Sequence, residues 1–206
     1  MIRVEMIVCG RSIGMPKRLS LIILLAIVLA SQISCVKARP PTSNTQSPTV
    51  VPPSKTSAIY TNSDNGFTIE YPKTWIDKSK ETNKPSVLAI FMDPKSCDSM
   101  GANFVIMKET LDTELSAKAN FDLTQPTLSS MSQYTPLSTD EVTINGSKAI
   151  KHDYTWVSDN KTVHQRIIFL VKNKTGYLII FSCAQSCYDN SASDFGKISN
   201  SFKFTN

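Results

Sequence analysis

The 206-residue chain contains no G-x-S-x-G nucleophile elbow, no glycine-rich phosphate loop and no H-E-x-x-H pair. The usual signatures of serine hydrolysis, nucleotide binding and zinc proteolysis are therefore missing, which lowers the expectation of an enzyme. A run of basic residues is missing too. The formal net charge of +5 is inflated by Arg3, Arg11, Lys17 and Arg18, which precede Cys35 and are opposed there only by Glu5. Without these, the 22 cationic and 17 acidic residues fall to 18 against 16, a balance that argues against nucleic acid as a partner. Cysteine is sparse: Cys9 and Cys35 lie near the N-terminus, and Cys97, Cys183 and Cys187 further on. Three thiols in an exported domain allow one internal disulfide and leave one thiol over.

What is present begins with an address. From Met15 the chain reads Met-Pro-Lys17-Arg18, then an almost wholly apolar Leu19 to Ile33, then Ser34-Cys35. A positive segment, an apolar segment and a small residue before a cysteine make an export signal over residues 1–35, with Met15 expected as the true start. Two readings of Cys35 stand. It is the lipid-modified residue of a bacterial-type lipobox, with Ser34 as the small residue and Gln32 in place of the usual leucine, or the apolar run remains as an uncleaved N-terminal helix anchor. The first is preferred, and both place the rest outside the cytoplasm, anchored to the outer face of the cell membrane. Residues 36–57 carry Pro40, Pro41, Pro48, Pro52 and Pro53 among Ser and Thr. That composition buries no core and reads as a linker reaching up to about 60 Å at about 3.1 Å per residue.

Residues 58–206 are the size of one domain. Ala58 to Tyr60 and Phe67 to Tyr71 are predicted strands around a turn at Asn62 to Gly66, with Pro72 as the stop and Trp75 as an apolar plug. Val87 to Met92, Asn103 to Lys108, Glu141 to Ile144, Lys148 to Val157, Val163 to Lys172 and Gly176 to Cys183 follow as strands. Asn145-Gly146, Ser158 to Lys161 and Asn173-Lys174 are the late turns. Leu115, Ala119 and Leu123 recur at helical spacing, predicting a helix from Thr113 to about Thr124 that Pro126 stops. Phe195, Ile198 and Phe202 predict a closing amphipathic helix. The last two long strands are apolar on both faces and should be central. The expected fold class is α+β, an antiparallel sheet sandwiched between helices.

The pieces "GFTIEYPKTW", "VTINGSKAIKHDYTW", "KTGYLIIFSCAQSCYD" and "ISNSFKF", in that order, resemble the PsbP-like domain family over about Ala58 to Phe204. The resemblance implies an α/β/α sandwich, seen in an extrinsic subunit of the oxygen-evolving complex and in exported proteins. Calcium is the one cofactor it implies, and no functional residue of the family maps onto this chain.

Several constellations carry chemical readings. Cys183 and Cys187 are expected to form a structural disulfide where strand gives way to loop or helix. Cys97 paired with either of them is the next choice, and a redox or zinc site a minor one. His152 and His164 lie on adjoining strands. If Val157 pairs with Thr162, facing residues sum to an odd number and the two imidazoles point to opposite faces, which leaves no shared metal site. Asn62 to Gly66 fails as an EF-hand, because Thr61 and Ser63 stand where carboxylates belong and Pro72 where the bidentate Glu belongs. Asn145, Asn160 and Asn173 begin glycosylation sequons in predicted turns. The functional expectation is a membrane-tethered extracytoplasmic binding or assembly module without catalysis, with a protein partner in a membrane complex. Its alternatives are a small hydrolase or redox protein and a metal-ion or solute binder.

Overall fold

The computed structural model describes residues 57–95 and 100–205; the leader, Cys35, most of the linker and Cys97 lie outside them. In chain order the elements are β1 (Ser57–Asn62), β2 (Phe67–Pro72), β3 (Ile76–Asp77), β4 (Val87–Met92), β5 (Asn103–Thr110), α1 (Ala117–Ser129), β6 (Thr135–Ile144), β7 (Ser147–Ser158), β8 (Lys161–Lys172), β9 (Thr175–Ala184), α2 (Tyr188–Ser201) and β10 (Lys203–Phe204). The strands form a seven-stranded antiparallel sheet in the order β3-β4-β5-β9-β8-β7-β6 and a three-stranded one in the order β1-β2-β10.

The late hairpins follow from their turn residues. Asn145-Gly146, Asp159-Asn160 and Asn173-Lys174 each hold two consecutive positive φ angles. That is the geometry of a two-residue turn whose twist matches its strands. It makes β6 to β9 one antiparallel meander. β8 and β9 take the middle of the sheet, and their unbroken apolar runs are buried on both faces.

Side chains alternate between two cores. On the front face Phe67, Trp75, Phe104, Phe181 and Phe195 pack together under the small sheet and α2. Trp75 is buried as expected, its ring centroid 5.7 Å from that of Phe104 and 6.4 Å from that of Phe195. On the back face Phe121 and Leu128 of α1 cover Ile150, Ile167, Phe169 and Leu178. The closing helix is as predicted, with Phe195 and Ile198 inside it and Phe202 buried at its end.

The first helix differs from its prediction. It starts after Ser116, whose hydroxyl accepts from the Ala119 amide at 3.0 Å, and runs through Pro126. Leu115 precedes it and Leu123 is exposed, while Ala117, Asn120, Phe121, Thr124, Thr127 and Leu128 face inward. Proline removes one amide donor to the carbonyl four residues earlier. Here Pro126 and Asp122 both lie on the exposed side, where that carbonyl is open to solvent. β6 is also longer than predicted. It is an edge strand with residues 135–141 all exposed, so no alternation marked it.

Candidate functional site

At one end of the front face lies an open polar cleft of about 450 Å³. Strand register builds its floor. Thr110, Thr175 and Lys172 stand in one row across β5, β9 and β8, and Lys108, Tyr177 and Leu170 in the next. The turn between β1 and β2 forms the wall. Asn62 Oδ1 accepts from the Asn65 amide at 3.1 Å, Gly66 turns the chain at φ 61°, and the Thr205 amide donates to the Gly66 carbonyl at 2.9 Å. A Cβ on Gly66 would come within 3.1 Å of the Thr205 carbonyl oxygen, so only glycine fits without strain.

Two ammonium groups line this cleft. Lys108 Nζ donates to Asn65 Oδ1 at 2.7 Å, and Lys172 Nζ sits over the Phe204 ring at 5.0 Å. Both are half-buried. Neither makes an ion pair among the described residues, and Asp64 is exposed at the rim. Tyr177 Oη donates to the Asn65 carbonyl at 3.2 Å, and burial pushes that phenol above its usual value. The cleft can thus neutralise negative charge and donate hydrogen bonds. It does not fit calcium, because the Asn65 oxygen a cation would use already accepts from an ammonium and Asn62 Oδ1 from the Asn65 amide and carboxamide.

The acid and base side chains lie elsewhere and are buried. β7 and β8 pair Val157 with Thr162, so the odd sum holds, and His152 points to the back face while His164 points to the front. On the front, Asp153 Oδ1 accepts from Arg166 Nε at 2.9 Å, from His164 Nε2 at 3.2 Å and from Tyr188 Oη at 3.1 Å. The His164 ring stacks on Tyr188 at 3.4 Å between centroids, and its Nδ1 meets Gln185 Oε1 at 3.1 Å. Burial raises the Asp153 carboxyl, but the hydrogen bond with His164, the Arg166 charge and the Tyr188 hydroxyl outweigh it and hold it below the usual carboxylate value. Burial pushes the Tyr188 phenol up to about 12, so it is no nucleophile at neutral pH. On the back, His152 is fully buried, with Tyr134 Oη 2.7 Å from Nε2 and Thr139 Oγ1 2.8 Å from Nδ1. Burial lowers its pKa more than the Ser138 backbone and the Asp153 charge raise it.

The Cys183–Cys187 bridge is corrected. Cys183 is a free, buried thiol and Cys187 is disulfide-bonded. β9 runs on through Ala184, and the turn at Gln185–Cys187 comes only afterwards, so Cys183 stays extended, facing His164 across the ladder. The two sulfurs therefore never reach bonding distance. The partner of Cys187 lies outside the described residues, as does Cys97. Burial pushes the Cys183 thiol up to about 12, which removes it as a redox nucleophile. Asn145, Asn160 and Asn173 are all exposed in their turns. The Asn145 carboxamide, however, donates to the Asn200 and Phe202 carbonyls at 2.9 and 2.8 Å, and a glycan there would leave one N–H for these two acceptors.

Neither the cleft nor the Asp153 cluster was singled out from sequence. The cluster had a signal, since the register that separates the histidines also sets Asp153 opposite Arg166. The cleft had none, because its parts come from β5, β8, β9, a turn and the C-terminal strand.

A family model for PsbP-like proteins matches residues 19–204. Among solved structures the chain is similar to the cyanobacterial PsbP protein CyanoP of Synechocystis sp. PCC 6803, at 17% identity and TM-score 0.52 over 77% of this chain and 98% of that one. It is similar to LpqN of Mycobacterium tuberculosis, described as involved in cell envelope biogenesis, at 12% identity and TM-score 0.57 over 73% and 91%. The Saccharomyces cerevisiae Ran-binding protein Mog1p shares 12% identity and TM-score 0.53 over 74% and 97%. At these identities the likeness is one of fold. No curated protein matches the chain.

Proposed function

The chain belongs to the PsbP-like family, and from that premise we propose that it is an extracytoplasmic, membrane-tethered module that binds or assembles a partner without catalysis. The observation that carries the reading is the contrast between its polar groups. Among the described residues both histidines and Asp153 are buried and hydrogen-bonded to neighbouring side chains, Cys183 is a buried thiol with its pKa pushed up, and Cys187 is held in a disulfide. The open cleft instead carries two ammonium groups without ion-paired carboxylates, a binding surface rather than a reacting one. The envelope role named for LpqN supports an extracytoplasmic place. The tether is read from the apolar segment ending at Cys35 and the proline-rich linker; among the described residues no helix is long and apolar enough to cross a membrane.

Fractionation of expressing cells tests the tether, and affinity capture from solubilised membranes tests the module. The expected results are a membrane-bound chain and a protein recovered above background. A wild-type chain found only in the soluble fraction refutes the tether, and a blank capture refutes the assembly role.

A further inference from the structure

The geometry of the cleft narrows the binding-module reading to a class of ligand, and that ligand rests on the same reading. Lys108 and Lys172 stand on one face with β9 between them, one row apart along the strands. Strand spacing puts their α-carbons roughly 12 Å apart. Their amines are held at different walls, Lys108 Nζ 2.7 Å from Asn65 Oδ1 and Lys172 Nζ 5.0 Å above the Phe204 ring. Both partners are neutral, so each ammonium keeps an uncompensated charge. Asp64, exposed at the rim, weakens the attraction but pairs with neither. Thr110, Thr175 and Tyr177 lie on the floor between them. A volume of about 450 Å³ falls within the range of about 300–1,000 Å³ that small-ligand sites occupy.

We propose that this cleft binds a small ligand carrying two separated anionic groups, one at Lys108 and one at Lys172. A point anion reaches only one of the two charges, whereas an extended dianion neutralises both. The shared chemistry is a pair of oxyanions on a short spacer, met by dicarboxylates and by bisphosphates.

The test uses the full chain in detergent, titrated with straight-chain dicarboxylates from succinate to suberate, the matching alkane bisphosphates, acetate and inorganic phosphate. Binding is read from the amide resonances of Gly66, Thr175 and Tyr177. The expected result is saturable binding that strengthens with spacer length and exceeds that of acetate or phosphate by about tenfold or more. Lys108→Gln and Lys172→Gln should each weaken it about tenfold with unchanged melting temperature. Comparing the two series identifies the carboxylate or phosphate source. Three results overturn the proposal: no saturable binding by any probe, inorganic phosphate binding as tightly as the best dianion, or affinity that ignores one of the lysines. Tetraglutamate binding far more tightly than every small dianion also overturns it, in favour of docking by an acidic protein. A partner captured from membranes by a chain that binds no dianion leaves the proposed function standing and removes this ligand.

Discussion

His152 and His164 stand on adjacent strands of one hairpin, yet the first lies among neutral rings and hydroxyls beneath α1, and the second in an ion-paired cluster beside α2. Each is almost fully buried. The back face keeps its imidazole neutral by desolvation. The front face surrounds its imidazole with a carboxylate, a guanidinium and a phenol. A single parity decides which environment each meets, since a strand sends successive side chains to opposite faces. His152 and Asp153 are neighbours in sequence and are divided by the sheet. The difference teaches that a buried histidine is not in itself a sign of a reactive site.

The contrast can be broken most severely at Asp153. Asp153→Ala removes the anion facing both Arg166 and His164 and should cost about 3–5 kcal/mol in urea unfolding. A loss below about 1 kcal/mol would show that the cluster is hydrated and does not hold α2 to the sheet. A comparable loss, again about 3–5 kcal/mol, is expected for Trp75→Ala, which empties the apolar part of the same face. Trp75→Phe should be much milder, because the indole Nε1 is buried without a hydrogen-bond partner. An unchanged melting temperature in the alanine variant would place the indole outside the core.

Next in size is the disulfide at the start of α2. Reduction of the native chain should lower stability by about 2–4 kcal/mol. Cys187→Ser should abolish that sensitivity and Cys183→Ala should leave it intact. Loss of the reductant effect in the Cys183 variant would restore the bridge that the free Cys183 thiol contradicts.

The smallest effects are in pH, and both have the same sign. Burial holds His152 below its unfolded value, so the stability it contributes is fully present above about pH 6.5 and lost as pH falls toward its folded value. Asp153 is also held low, and its contribution is lost only as pH falls from about 3.9 through its folded value. Wild-type stability should therefore fall in two stages on acidification. His152→Phe should remove the upper stage and Asp153→Asn the lower. A single stage untouched by His152→Phe would mean that burial does not hold the back-face imidazole below its unfolded value.

Much of the fold was legible because its signals are local. Turn residues at Asn145-Gly146 and Asn173-Lys174 and the apolar runs of β8 and β9 state the meander outright, and Trp75 after Pro72 announced its own burial. The failures have a common cause. The stripe of Leu115, Ala119 and Leu123 has helical spacing, but the face that packs carries Asn120, Phe121, Thr124 and Leu128, two of them polar. Asn120 is tolerated there because its Nδ2 donates to Glu109 Oε1 at 2.8 Å on β5, a contact no helical periodicity reports. The pairing of Cys183 with Cys187 failed for a related reason, since the point at which β9 ends is set by its ladder with β8.

By itself, then, the sequence determined the family, the antiparallel meander, the plug and the opposite facing of the two histidines, since each depends on short-range backbone preferences and on the period of the side chains. Only the tertiary structure decided which thiol stays free, which face of α1 is buried, and that a turn, three strands and the C-terminal strand meet around Lys108 and Lys172. The first two depend on contacts between elements, the ladder of β9 with β8 and the bond of Asn120 to Glu109, and the last on groups more than a hundred residues apart reaching hydrogen-bonding distance, as Tyr177 Oη does with the Asn65 carbonyl at 3.2 Å.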